Sequence, residues 1–436
     1  MAKMTLKKLA FILHLAACST ACVSAQVEAA SLEPETLTVV TSYPEQMTTR
    51  FQESFERKYP NVHVRIVWKQ RNDAFAMLGQ PDGGGADVYW APSLENYRAL
   101  ADKGAFQHLD VDRAVLPGKL GRQWLSDPGG AFEAAEIAGY GVAVNLETLQ
   151  QHALPKPKTW RDLASPAFRG LISVPVAGRV GFSPVLYDVI FQSEGWTPGW
   201  ALLTEIAANA GVAHSGGEPI GAVESGDAAI GFAIDFFAAS AAANGKPIAM
   251  IYPTRTAFVP AHIALMAHAP HPQQARAFVD FVLSRDGQIL LLHPDISRHP
   301  VRLDAYEPTP PGVTNPFAIV KDLFPFDSEK ARLRRAAIVA LFDVAVAERM
   351  DELKMLWPLI QSAEVSATTP AQKAAAAIAR QKAGFVPMSA AEADDSAFLA
   401  RFSSPEFVKT QSELWRTEIS RSRGEAFDLL AKAGAN

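Results

Sequence analysis

The chain has 436 residues, of which 48% are hydrophobic and 20% are charged. The chain is too long for one ordinary hydrophobic core, so we expect about two or three domains. Its composition excludes a disordered or a collagen-like chain. The formal net charge is −5 at pH 7, and an acidic chain is a poor general partner for nucleic acid or anionic lipid.

Residues 1–25 have the pattern of a secretory signal peptide. They carry three lysines and no acidic residue, followed by about seven apolar residues, far below the roughly 20 needed to span a bilayer. Removing the three lysines takes the net charge from −5 to −8. Cleavage after Ala25 would also remove both cysteines, Cys18 and Cys22, which suits an oxidising compartment such as the periplasm.

A second exported form stays open. Residues 15–18, Leu-Ala-Ala-Cys, resemble the lipobox of bacterial lipoproteins, in which the cysteine is lipidated. Cys18 would then carry a lipid anchor, and the rest of the chain would face the same compartment.

Strands and helices alternate after the leader. Met47, Phe51 and Phe55 recur every four residues and predict a helix with one apolar face. The segments predicted as strands around it are rich in β-branched or aromatic residues: 37–41, 62–67 and 87–90. This order is typical of a parallel sheet with helical crossovers.

The same pattern begins again further along the chain. The second set of predicted strands is 140–145, 170–174 and 228–234, with predicted helices at 185–192 and 200–208. Two such α/β units predict two lobes that face each other across a cleft.

From about residue 315 the chain is rich in helix-forming residues. Two sets of apolar residues recur at the spacing of a buried helix face, and a break is predicted at residues 384–387. These sets are Ile338, Leu341, Phe342 and Ala345, and then Leu353, Leu356, Trp357 and Ile360.

Ligands of α/β sheets bind beyond the carboxyl ends of the strands, where helix N-termini present free backbone N–H groups. Ser42 and Tyr43 follow the first predicted strand, and Ser93 follows the third. The loop at 177–184 contains Arg179, Gly181 and Ser183. Its arginine can hold a phosphate or a carboxylate with two hydrogen bonds, whereas each serine has the alternative of an ordinary helix N-cap.

Two further positions are candidates. Ser215 and Gly216 lie in a glycine-rich loop that can bind an oxyanion or form a plain turn. Asp235 follows the strand at 228–234 and can accept hydrogen bonds from ligand hydroxyls or pair with a base that closes the lobes. The neighbouring Phe236 and Phe237 are more often core residues.

No sequence motif of an enzyme, a metal site or a cofactor site is present. The chain lacks Gly-x-Ser-x-Gly, His-Glu-x-x-His, a P-loop and a Gly-x-Gly-x-x-Gly after a strand, and its histidines lack metal-ligand spacing. We expect no catalysis, no metal and no cofactor, with an exported hydrolase or transferase as an alternative.

Several segments, in order, resemble one family. They read ADVYWAPS at 86–93, GYGVAVN at 139–145, ESGDAAIGFAIDFFA at 224–238 and HPQQARAFVDFVLSRDGQILL at 271–291. Together they resemble bacterial periplasmic solute-binding proteins of ABC transporters, in the branch with iron(III)-, phosphoglycerate- and hexose-phosphate-binding members. The resemblance covers about residues 36–310.

This resemblance implies an α/β type II periplasmic-binding-protein fold, with two lobes, a hinge and a central cleft. Lobe 1 would comprise residues 36–137 with 255–314, lobe 2 residues 138–254, and a helical C-terminal extension residues 315–436. Ser42, Tyr43 and Ser93 would contact the ligand from lobe 1. The implied contacts from lobe 2 are Arg179, Gly181, Ser183, Ser215, Gly216 and Asp235.

One departure from the family bears on the ligand. Ferric-binding members carry adjacent tyrosines where this chain has Asp235-Phe236-Phe237, and phenyl rings cannot bind iron. A small anionic, phosphorylated organic solute is therefore favoured, with ferric iron as the alternative. The implied partners are an ABC permease and, from the resemblance of the tail to phosphoglycerate-binding relatives, a membrane sensor kinase.

Overall fold

The computed structural model describes residues 35–308, 313–319 and 324–434. The predicted leader, with Cys18 and the cleavage site, lies outside the described residues. Within these ranges, none of the helices combines the length and the apolar character needed to cross a membrane.

The strands of the described residues are short except for one. They are β1 Glu35–Thr41, β2 Val62–Trp68, β3 Val88–Ala91, β4 Lys119–Leu120, β5 Gln123–Trp124, β6 Glu133–Asn145, β7 Ile172–Pro175, β8 Ala210–Ala213, β9 Ile230–Ile234, β10 Ile248–Ile251 and β11 Phe258–Leu265. Except for the hairpin of β4 and β5, they pair in the order β2-β1-β3-β11-β6-β9-β7-β8, and β10 also pairs with β6.

The α-helices of residues 35–308 are interspersed with these strands along the chain. They are α1 Glu45–Lys58, α2 Arg71–Leu78, α3 Leu94–Ala101, α4 Leu146–Gln151, α5 Ser183–Glu194, α6 Trp196–Ala208, α7 Glu218–Ser225, α8 Asp235–Ala243, α9 Pro272–Leu283 and α10 Arg285–Leu290. Met47, Phe51 and Phe55 of α1 are buried as predicted.

The C-terminal extension is helical, as predicted. Its helices are α11 Ser328–Ala345, α12 Met350–Ser366, α13 Pro370–Ala383, α14 Ala390–Asp394, α15 Ser396–Ala400 and α16 Pro405–Gly434. The predicted break falls between α13 and α14.

Strand β6 is longer than predicted and runs through both halves of the sheet. It begins at Glu133 instead of at residue 140, and the prediction missed its first half because two glutamates interrupt the apolar pattern. Both carboxylates are buried, and each is paired with an arginine: Glu133 with Arg113 at 2.7 Å and Glu136 with Arg298 at 2.6 Å. Paired charges are tolerated inside a sheet where isolated ones are not.

The two halves of the sheet meet at Gly139. Residues 133–139 of β6 pair with β11, and residues 140–144 pair with β9. A Cβ atom at Gly139 would lie 2.6 Å from ring atoms of both Phe258 and Tyr252, so a larger residue does not fit there. We use the names lobe 1 and lobe 2 for the two ranges given above, whose strands lie on either side of this crossing.

The extension and lobe 2 share one hydrophobic core. The apolar residues predicted for α11 and α12 are at most 1% exposed. The ring of Phe342 on α11 stacks on that of Tyr187 on α5, with centroids 5.0 Å apart. The buried Arg334 of α11 forms a salt bridge of 3.2 Å with Asp188 of α5. Side chains buried between the two therefore fix the extension to lobe 2.

Candidate functional site

A cavity of about 470 Å³ opens between lobe 1, lobe 2 and the start of the extension. Pockets for small molecules range from about 300 to 1,000 Å³, so its volume is that of a small-molecule site. Its wall has three sections. Lobe 1 contributes Arg71, Pro92, Ser93, Leu94, Glu95, Arg98, Glu136, Val259, Pro260, Ala261 and Arg298; lobe 2 contributes Ala138, Tyr140, Val185, Ile234 and Phe236; the extension side contributes Phe326, Ser328, Glu329, Ala331, Arg332 and Arg335.

The cavity is positive in an acidic protein. Five arginines and three glutamates line it, which leaves a surplus of two positive charges, although the chain as a whole carries −5. A local surplus of this kind attracts anions because the walls of a cavity focus the field of the charges that line it.

On the lobe 1 side, helix α3 begins at the cavity. Ser93 immediately precedes this helix, is only 7% exposed and lines the cavity. Its Oγ makes no hydrogen bond of good geometry with the described residues, although it lies near the Tyr89 phenol. The free N–H groups of the first turn of α3 add a partial positive charge at the same place.

The floor of the cavity centres on Arg298. Its Nη1 donates a hydrogen bond of 2.6 Å to Glu136 Oε1, which also accepts one of 2.9 Å from the Tyr43 hydroxyl. The guanidinium lies 4.2 Å from the ring centre of Phe236. Burial is the largest single effect and lowers the pKa of the guanidinium, but Glu136, Tyr43 and Asp235 together outweigh it, and the pKa is raised. Arg298 therefore stays charged between a carboxylate and an aromatic ring.

Two polar residues that line the cavity have hydrogen-bonding capacity to spare. Glu136 Oε2 is buried and has no hydrogen-bond partner among the described residues. The phenol of Tyr140 also lines the cavity, and burial raises its pKa despite the nearby Arg335 guanidinium, so it remains a neutral hydroxyl. The first can accept and the second can donate or accept a hydrogen bond.

Helix α11 forms the wall on the extension side. Asp327 caps its first turn by accepting hydrogen bonds from the N–H groups of Glu329 and Lys330. Glu329 then pairs with Arg98 of lobe 1 at 2.7 Å and with Arg332 of its own helix. The hydrogen bond from Arg332 is the main reason why the pKa of Glu329 is lowered.

The comparison with protein families decides the class of the protein. A model of the family described as bacterial extracellular solute-binding protein matches residues 95–322, slightly more than half of the chain. The chain belongs to this family. It is a solute-binding protein without catalytic function, and not the hydrolase or transferase that the sequence left as an alternative.

The relatives of this solute-binding protein include a transport regulator. The phosphoglycerate transport regulatory protein PgtC of Salmonella typhimurium is 26% identical over 288 residues, which cover 65% of this chain and 69% of that protein. A second relative, an uncharacterized protein of Haemophilus influenzae, is 25% identical over 248 residues and covers 54% of this chain and 69% of that protein.

Solved structures confirm the predicted type II fold. The periplasmic binding protein AfuA of Actinobacillus pleuropneumoniae, with fructose-6-phosphate bound, has a TM-score of 0.55 and 20% identity, and covers 74% of this chain and 99% of that one. Iron-bound HitA of Pseudomonas aeruginosa has a TM-score of 0.55 and 17% identity, and covers 70% of this chain and 99% of that one. The similarity at these identities establishes the fold and leaves the ligand open.

Of the nine residues predicted to contact the ligand, Ser93 lines the cavity directly. Tyr43 is 1% exposed and supports Arg298 from behind, through Glu136. Ser42 lies beside it, half-buried and outside the lining.

Asp235 lies behind the cavity at the crossing between the lobes. Its Oδ2 accepts hydrogen bonds from the Gly139 N–H, from the Tyr252 hydroxyl at 3.1 Å and from His299 Nε2 at 2.9 Å. Asp235 thus contacts His299 in this structure, and both roles predicted for it, ligand contact and pairing with a base that closes the lobes, stay predictions. The neighbouring Phe236, which we expected in the core, lines the cavity instead.

The remaining predicted residues lie outside the lining of the cavity. Arg179 and Ser215 are exposed, and Gly216 packs near Phe182 and Phe237. Ser183 is fully buried, and its hydroxyl donates to the Val180 carbonyl at 2.9 Å. Gly181 comes nearest to the site, since its carbonyl accepts a hydrogen bond from Arg335 at 3.1 Å. Their contact with a ligand stays a prediction.

None of the cavity arginines was among the predicted site residues. One signal was available for those on α11: Arg332 and Arg335 are three residues apart on one helix face, and like charges at this spacing destabilise a helix. Such a placement indicates that the cations have partners elsewhere. Arg71, Arg98 and Arg298 carry no comparable local signal.

Proposed function

We propose that this solute-binding protein captures a small anionic, phosphorylated organic solute in the cavity between its lobes. The observation that carries the proposal is the surplus of positive charge in that cavity, in a chain that is otherwise acidic. The names of PgtC and of fructose-6-phosphate-bound AfuA support a phosphorylated solute.

The polar groups of the cavity favour a solute with hydroxyls as well as an anionic group. Glu136 Oε2 needs a donor, because a buried carboxylate oxygen without a hydrogen bond is costly. A hydroxyl of a phosphorylated hydroxy acid or sugar can supply it while the phosphate contacts the arginines. Tyr140 of lobe 2 and Ser93 of lobe 1 add two more hydroxyl-bearing residues to the lining of the cavity.

Ferric iron is less well supported as the ligand. Within the described residues, no group of three or more histidine, cysteine, aspartate or glutamate side chains could hold a metal ion. Phe236 stands in the cavity and contacts a guanidinium, and a surplus of positive charge repels a trivalent cation.

We further propose that the protein works outside the cytoplasmic membrane, in the periplasm, and presents its closed form to an ABC permease, to a membrane sensor kinase or to both. A solute that contacts both lobes stabilises the closed state by the contacts that only this state provides. The word "regulatory" in the name of PgtC supports a sensing role beside transport.

Thermal unfolding with matched ligands tests the proposal. 3-Phosphoglycerate, phosphoenolpyruvate and fructose 6-phosphate are compared with glycerate, pyruvate and fructose, which lack the phosphate. A ligand present at about 100 times its Kd stabilises the native state by about 2.7 kcal/mol, so at least one phosphorylated compound should raise the Tm while its partner does not. The proposal is wrong if only ferric citrate raises the Tm, or if the unphosphorylated compounds act equally well.

A further inference from the structure

We infer that the C-terminal extension is part of the binding site and that Arg335, on helix α11, holds an anionic group of the solute. This inference rests on the proposed function, because it assigns one contact of the proposed anionic ligand. It also gives the extension a role in ligand recognition, in addition to its helical packing on lobe 2.

The first support is the pairing of the cavity arginines. Arg71 pairs with Glu95, Arg98 and Arg332 with Glu329, and Arg298 with Glu136: four arginines and three carboxylates. Arg335, the fifth, forms no salt bridge with a carboxylate of the described residues. Its one hydrogen bond there goes to the Gly181 carbonyl.

The second support is the remaining capacity of this guanidinium. An arginine has five N–H donors in a planar fork, which matches the oxygens of a phosphate or a carboxylate. One of these donors contacts Gly181, and the half-buried side chain lines the cavity beside Tyr140. Its remaining donors are free to bind an anion that enters the cavity, so a bound anion is the natural partner of Arg335.

The third support is the rigid attachment of α11. Arg334, the preceding residue, is 4% exposed and tied to Asp188 and to the Ala393 carbonyl. Successive residues of a helix point about 100° apart, so the anchoring of Arg334 in the core fixes Arg335 toward the cavity. The position of Arg335 is thus set by the same packing that joins the extension to lobe 2.

The test is calorimetric titration of the full-length exported protein with 3-phosphoglycerate, with inorganic phosphate as a second probe. Arg335→Gln should weaken 3-phosphoglycerate binding roughly tenfold to a hundredfold, the range for loss of a charged hydrogen bond. Arg335→Lys keeps the charge without the fork and should lose less, roughly several-fold. Arg421→Gln is the matched control, since it removes the charge of an exposed arginine on α16 of the same extension.

The outcomes separate this inference from the proposed function. If the unmodified protein binds 3-phosphoglycerate and Arg335→Gln binds it as tightly as Arg421→Gln does, Arg335 holds no anion and the proposed function stands. If the unmodified protein binds none of 3-phosphoglycerate, phosphoenolpyruvate, fructose 6-phosphate and inorganic phosphate, both are overturned. Arg335 makes only one hydrogen bond within the described residues. We therefore expect the Tm of the two Arg335 variants to remain near that of the unmodified protein.

Discussion

The extension meets the two lobes in opposite ways. Toward lobe 2 it contributes to a continuous hydrophobic core, with the stacked Phe342 and Tyr187 and the buried Arg334–Asp188 pair. Toward lobe 1, the helices of the extension offer the pair between Arg98 and Glu329, whose side chains are 45% and 42% exposed. The segment before α11 also packs Phe317 and Ile319 against the core of lobe 1.

This difference indicates which parts of the molecule move together. Burial of large apolar side chains is worth several kcal/mol, whereas an exposed ion pair contributes about 0–1 kcal/mol. Helices α11–α16 and lobe 2 therefore form one body, and we expect lobe 1 to move against it. The ion pair that would have to break as lobe 1 moves away from α11 is weak.

The largest expected effect comes from breaking the contact with lobe 2. Phe342→Ala removes a fully buried ring and should lower the free energy of unfolding by about 3–5 kcal/mol. Chemical denaturation followed by tryptophan fluorescence measures it. Leu359→Ala on α12 is the control, because Leu359 is 50% exposed and should cost far less. Equal losses in the two variants would mean that the extension does not share the core of lobe 2.

Acid should act on lobe 1 through His262. Burial, helped by the charge of Arg98, lowers the pKa of this β11 histidine to about 4 even though its Nε2 can donate to the Leu125 carbonyl. The unfolded chain takes up the proton below its ordinary pKa of about 6.5, so stability is full above that pH and is lost as the pH falls toward 4.

Between pH 7 and pH 5 this loss should reach about 2 kcal/mol of the free energy of unfolding. Urea denaturation at the two pH values measures it, with His262→Gln as the comparison. If His262→Gln loses as much free energy of unfolding between pH 7 and pH 5 as the unmodified protein does, another group is responsible for the loss.

The smallest effect on stability should come from Glu329→Gln. Its exposed pairs contribute at most about 1 kcal/mol, yet the substitution frees Arg98 and Arg332 for the solute. We expect the Tm to change little and the affinity for 3-phosphoglycerate to rise several-fold, as measured by calorimetry. Weaker binding would instead show that Glu329 holds the lobes together in the bound state.

The sequence predicted those parts of the molecule that depend on near neighbours. The apolar faces of α11 and α12 were correct because a helix face is defined within four residues. Ser93 was found for a similar reason, since a turn from a strand to a helix is a local feature.

The arginines of the cavity could not be found in this way. Arg98 and Arg335 belong to one site because α11 packs on α5, about 150 residues earlier in the chain, and no local pattern reveals that contact. Ser183 shows a second limit: the sequence places its hydroxyl at the start of a helix, but does not reveal that this hydroxyl donates to the Val180 carbonyl within its own turn.

The most direct test of the account compares a distance between lobe 1 and the extension with a distance between lobe 2 and the extension. The only cysteines are Cys18 and Cys22, so a chain that begins after the predicted cleavage site can carry spin labels at chosen positions. Asp102→Cys in lobe 1, Lys246→Cys in lobe 2 and Lys373→Cys in the extension replace exposed residues, and pulsed electron paramagnetic resonance gives the distance within each pair.

With saturating 3-phosphoglycerate, the distance between residues 102 and 373 should change as the lobes close, while that between residues 246 and 373 stays the same. A ligand-induced change between residues 246 and 373, or no change in either distance although the ligand is bound, would contradict the account.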